Sequence, residues 1–77
     1  MKGHRGRIVH IESVQDLDGR LASGLRVLDG YRLHGLDLTG HSGMLAALDV
    51  SGATFLGCRF APGDAARAEE QGALVLP

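Results

Sequence analysis

Residues 26–40 read RVLDG-YRLHG-LDLTG, and residues 48–62 read LDVSG-ATFLG-CRFAP. Written in fives, each block has an apolar residue in its third place: Leu28, Leu33, Leu38, Val50, Phe55 and Phe60. Its fifth place is glycine, at Gly30, Gly35, Gly40, Gly52 and Gly57, until Pro62 ends the series. This phase excludes a helix, because five residues rotate a helical face by about 140° and a glycine every fifth residue weakens it. It excludes a flat strand as well, since an odd period sends successive apolar residues to opposite faces. It suits a chain that turns a corner at each block, with glycine supplying backbone conformations that other residues avoid. The six block centres then point into one interior, as in a coil of a β-solenoid. Residues 41–47, HSGMLAA, interrupt the phase as an insertion, and Met44, Leu45 and the alanines favour a short helical turn there.

The flanks carry different signals. Ile8, Val9 and Ile11 are β-branched and close together, which predicts a strand. Ser13 followed by Asp16 is an N-cap arrangement, and Val14, Leu17 and Leu21 recur on one helical face, so a helix is expected over 14–23 with Gly24 after it. Gly19 inside that helix costs about 1 kcal/mol relative to alanine. After Pro62-Gly63, Asp64 is placed to cap a second helix from Ala65 to Gln71, stopped by Gly72. Ala73 to Leu76 then read as a strand, paired with Ile8–Ile11 or with a partner.

The resulting expectation is one small domain over 1–77. A flexible basic tail (1–6) precedes a strand and helix (7–24), the five-residue repeat (26–62, with its insertion at 41–47), and a closing helix and strand (63–77). The fold class expected is mainly β with two short helices: a fragment of a right-handed β-helix, about one and a half coils long, flanked by strand-helix and helix-strand segments.

Composition narrows the function classes. A 77-residue chain buries only about 60–65% of the surface its unfolded form exposes, so association is expected to supplement a marginal core. The single cysteine, Cys58, forms no internal disulfide and fits a reducing cytoplasm. A net charge of −1 argues against a general binder of nucleic acid or membrane surfaces. The basic residues concentrate in the tail, at Lys2, Arg5 and Arg7 beside His4, with no apolar segment of a secretory signal behind them. Twelve glycines, about double the usual share, sit inside an apolar pattern that a disordered linker would lack.

The five-residue blocks resemble the pentapeptide-repeat proteins, which wind a right-handed quadrilateral β-helix with a large apolar residue at each block centre. Those proteins prefer a small residue two places before the centre; Ala53 and Cys58 follow that preference, whereas Arg26, Tyr31, Leu36 and Leu48 depart from it. A second resemblance covers more of the chain. The order strand, helix, LDLTG, LAALDVSGATFLGCRFAPGD, helix, GALVLP is similar to the N-terminal segment of actinobacterial lonely-guy-type (LOG) proteins, formerly described as lysine-decarboxylase-like. Its specific part is Leu48 to Pro77, above all Ser51-Gly52-Ala53-Thr54-Phe55-Leu56-Gly57-Cys58. That family includes phosphoribohydrolases acting on cytokinin nucleoside monophosphates. Its Pro-Gly-Gly-x-Gly-Thr loop is absent from this chain, so the resemblance carries over no catalytic residue and implies an accessory segment or a freestanding relative of it.

The chemistry-bearing residues read mostly as structure. His4, His10, His34 and His41 contain no close-spaced pair, and one cysteine completes no zinc set, so no metal or cofactor is expected. Cys58 suits a core position. His41 beside Ser42 makes no triad by adjacency. Asp29, Asp37 and Asp49 flank block centres and read as a solvated rim. Tyr31, Leu36 and Leu48, bulky residues where small ones are usual, are the expected contact positions. The function expected is a non-catalytic structural or interaction module, accessory to a lonely-guy-type phosphoribohydrolase or self-associating. Alternatives are part of such a hydrolase, or a small pentapeptide-repeat regulator. The expected partners are a second copy or a larger protein domain, and neither a membrane nor nucleic acid.

Overall fold

The computed structural model describes residues 8–77; the basic tail expected over 1–6 lies outside them. The first strand, β1, is Val9–Ile11. Helix α1 follows at Val14–Ala22, where the Ser13 hydroxyl accepts the Asp16 backbone N–H at 3.1 Å. An Asp16–Arg20 ion pair at 2.9 Å lies across one helical turn. Leu17 is fully buried beneath this helix, flanked by partly buried Val14 and Leu21, as the apolar spacing requires. Ser23 is the C-cap, and Gly24, at φ 108°, takes the chain off the axis.

Next come β2 (Tyr31–His34), β3 (Asp37–Leu38) and α2 (Ser42–Ala47). These are followed by β4 (Thr54–Leu56), β5 (Arg59–Phe60), α3 (Asp64–Glu70) and β6 (Leu74–Leu76). Among the described residues all strand pairing is parallel. One sheet has the order β1-β2-β4-β6, and β3 pairs with β5 in a second. Val9 pairs with Tyr31, Arg32 with Thr54 and Asp37 with Arg59, and Val27 bridges Asp49; each partner lies 22 residues further on. The last pairing, Thr54 with Leu74, is two residues shorter.

The repeating unit is therefore longer than five residues. Three five-residue blocks build the strands, and the seven residues after them build a helix; the next turn of the chain stacks on the first. Residues 41–47 are not an insertion but the helical side of a turn. Ser42 at the start of α2 is hydrogen-bonded to Asp64 at the start of α3, one 22-residue step later.

The described residues thus form a small α/β domain with three helices and six short strands in parallel sheets, mixed rather than mainly β. It corrects the expected pentapeptide-type β-helix. Helices take one side of the turns because Met44-Leu45-Ala46-Ala47 and Ala65-Ala66-Arg67-Ala68 are helix-favouring and free of glycine. The closing strand is corrected as well: β6 pairs with β4, leaving β1 and β6 at opposite edges of the sheet. Asp64, expected to cap the second helix, is its first residue, with Gly63 at the N-cap in the left-handed region.

The interior forms columns along the stack. Ile11, Leu33, Phe55 and Val75 occupy one register across all four strands, the first three fully buried. Leu38 pairs with Phe60 across β3–β5, and the Phe60 ring meets Phe55 edge-on, centroids 5.2 Å apart at 71°. Leu28 and Val50 are buried in the same cluster, while Phe60 packs half-buried against it. The six block centres hence share one interior. Leu36 and Leu48, expected as contact positions, are also buried in this core. They fill the space that the helical side opens, which a narrower five-residue coil lacks.

Glycine corners hold the turns together. Gly30 and Gly52 both have φ 80°, and their N–H groups donate to the carbonyls of Gly52 and Gly72, at 3.1 and 3.2 Å. That backbone region strains any residue with a Cβ.

Candidate functional site

Strand alternation sends Ile11, Leu33, Phe55 and Val75 inward and their neighbours outward. The outer face of the four-stranded sheet carries His10, Arg32 and His34 from β1 and β2, then Thr54, Leu56, Leu74 and Leu76 from β4 and β6. Leu74 is 53% exposed and Leu76 38%, beside half-buried Leu56. Among the described residues nothing pairs with the far edge of β6 or covers this face. All-parallel sheets normally have both faces covered, and an open strand edge presents unpaired backbone groups to any strand that approaches. An apolar corner and a free edge thus coincide on β6.

At the other end of the same face, His10 and His34 meet. His10 Nδ1 and His34 Nε2 lie 2.9 Å apart, one donating and the other accepting, and the rings stack with centroids 5.1 Å apart. Reading spacings along the chain misses this pair, because 24 residues separate its members. The 22-residue step is the signal that finds it, since it returns His34 to the strand beside His10.

A polar cluster joins α2 to α3. The Ser42 hydroxyl donates to Asp64 at 2.5 Å, and Arg67 forms an ion pair with the same carboxylate. Asp64 is 5% exposed. Its carboxyl is held below the ordinary value, first by the Ser42 hydroxyl and then by Arg67, with burial opposing. His41 Nε2 lies 3.4 Å from Asp18, while its buried Nδ1 has no hydrogen-bond partner among the described residues. Ser42 is bonded to Asp64 rather than to His41, so His41, Ser42 and Asp64 do not form the relay that a serine nucleophile uses. The cavity beside this cluster measures about 20 Å³, room for one water. The arrangement fastens α2 to α3.

The rim aspartates are used locally. Asp37 accepts from the Thr39 hydroxyl at 2.7 Å and backbone N–H at 3.1 Å; Asp49 does the same with Ser51, at 2.6 and 3.1 Å. Both carboxyls are held below their ordinary values by the hydroxyl first and then the N–H. Tyr31 is half-buried, with the Arg20 guanidinium 6.0 Å from its ring centroid. Cys58 is half-buried, and its thiol points to the Leu33 carbonyl at 3.4 Å.

Among the described residues no three His, Cys, Asp or Glu side chains gather as metal ligands, and no helix is long and apolar enough to cross a membrane. No protein-family model, curated protein or solved structure matches this chain.

Proposed function

We propose that this domain is a non-catalytic interaction module that docks on a larger protein through the free edge of β6 and the leucine corner beside it. The observation that carries this reading is the exposure of Leu74 and Leu76 on the edge strand of an all-parallel sheet. Stacked turns bury their apolar faces against one another, so a turn with an uncovered apolar face gains from a partner. A domain of this size gains more from such contact than a large one does.

The class of partner comes from the resemblance. Its most specific stretch, Leu48 to Pro77, contains the open-edge strand β6 together with its neighbour β4 and the preceding helix α3. A lonely-guy-type phosphoribohydrolase domain is accordingly the partner proposed, with the domain serving as its accessory segment in a reducing cytoplasm.

The test pairs light scattering after size exclusion with hydrogen exchange, using the wild-type chain and a Leu74→Lys/Leu76→Lys variant. The wild-type chain should bind a lonely-guy-type domain supplied in trans and gain protection along β6, and the variant should remain folded but lose both. Protection of β6 by self-association would replace the hydrolase domain with a second copy. A wild-type chain that stays monomeric at micromolar concentration and ignores that domain would overturn the proposal.

A further inference from the structure

The turn length of the fold gives two distant histidines a common purpose. His10 projects outward from β1 between Val9 and buried Ile11, and His34 projects from the same face of β2, two residues beyond Arg32, the register partner of His10. The backbone beneath them is held by the parallel ladder and by the Val9 N–H to Gly30 carbonyl bond at 3.0 Å. The two ring nitrogens are consequently brought to 2.9 Å on a fixed base.

That separation has a chemical meaning. It is the length of the hydrogen bond between the rings, and it puts both nitrogens within reach of one metal ion. Metal–imidazole bonds of about 2.0–2.1 Å space two ligands about 2.9 Å apart at right angles and about 3.4 Å apart in a tetrahedron. The geometry points to a two-imidazole chelate, made by His10 and His34, for a divalent transition-metal ion. Cu²⁺ comes first, ahead of Ni²⁺ and Zn²⁺, by the general affinity order of divalent first-row metals for nitrogen ligands. Binding breaks the hydrogen bond: the donor ring carries its proton on its other nitrogen instead, so that each neutral ring offers a lone pair to the metal and keeps one N–H. Each lone pair must turn about 45° from the line between the nitrogens, a motion within the broad torsional range of a histidine ring. His10, which is exposed, has the room to do so.

Among the described residues no third side chain of ligand type joins the pair, so water fills the remaining positions. Arg32, exposed on the same face, places a positive charge beside the site and weakens it.

The experiment titrates the full chain with Cu²⁺ at neutral pH in a non-coordinating buffer. Affinity is read by chelator competition, and the number of coordinating nitrogens by electron paramagnetic resonance. The wild-type chain should bind one Cu²⁺ through two imidazoles, more tightly than Zn²⁺. His10→Ala and His34→Ala should each weaken binding by at least about tenfold, since the chelate partner is lost, and should remove one nitrogen from the spectrum. Should either alanine variant unfold, His10→Gln or His34→Gln takes its place. Arg32→Gln should tighten binding. His4→Ala and His41→Ala should leave both readouts unchanged. Binding that survives loss of His10 and His34, that disappears with His4, or that favours Zn²⁺ over Cu²⁺ would overturn the assignment.

Discussion

Phe55 and Phe60 hold the same place in the five-residue pattern, yet the structure separates them, and truncating each in turn measures the difference. Phe55 is fully buried, lies in register between Leu33 and Val75, and touches Phe60 edge-on. Replacing such a side chain with alanine costs about 3–5 kcal/mol, from lost transfer energy and the cavity left behind. A chain of 77 residues has a global stability of about 4–12 kcal/mol, so Phe55→Ala removes a large share of it. Phe60 sits half-buried on the two-stranded sheet. Losing half its burial and the ring contact costs about 1.5–3 kcal/mol. The gap between the variants is about 2 kcal/mol, equivalent to roughly 8–16 °C in Tm for a domain of this length. Thermal unfolding followed by far-UV circular dichroism, with urea midpoints as a second measure, reads the difference directly. If Phe55→Ala is already unfolded at room temperature, Phe55→Leu, costing about 1–1.5 kcal/mol, supplies the comparison at smaller amplitude. A Phe60→Ala variant as unstable as Phe55→Ala, or a Phe55→Ala variant melting within about 5 °C of wild type, would refute the stacked interior.

Other variants test the remaining features. Gly57→Ala, at φ 65° with open space around it, should cost about 1–2 kcal/mol from backbone strain alone. Gly52→Ala should cost more, because its Cβ would lie 2.1 Å from Asp29 Oδ1 and 3.3 Å from the Asp29 Cα. Adding Asp29→Ala should recover part of that excess in urea unfolding. Leu36→Ala and Leu48→Ala should each lose about 2–5 kcal/mol as buried leucines, with falling urea midpoints; unchanged stability would return these residues to the surface. Asp64, Asp37 and Asp49 have folded-state pKa values below the unfolded ones, so their stabilisation is full above the ordinary carboxylate range and is lost as pH falls through the folded values. Ser42→Ala removes the main cause at Asp64, and the acid-unfolding midpoint by circular dichroism should move to higher pH; a midpoint unmoved or lowered would contradict the hydrogen bond.

Local chemistry made several elements legible in the residues alone. The Ser13 cap, the Val14–Leu17–Leu21 face, the β-branched first strand and the six inward block centres depend on neighbours within a few positions, and periodicity reports them directly. Glycine at Gly30 and Gly52 declared backbone corners, for only glycine takes that conformation without strain. What one turn of the chain does to the next was decided by tertiary structure. The 22-residue step came from summing three strand-forming blocks and a helix that each looked complete, so residues 41–47 read as an interruption instead of a side. Pairing then placed β1 and β6 at opposite edges, buried Leu36 and Leu48, left Leu74 and Leu76 uncovered, and brought His10 against His34. None of these has a local signature, because burial and contact depend on which turn lies above and which below, and parallel stacking settles that only once the whole chain has wound.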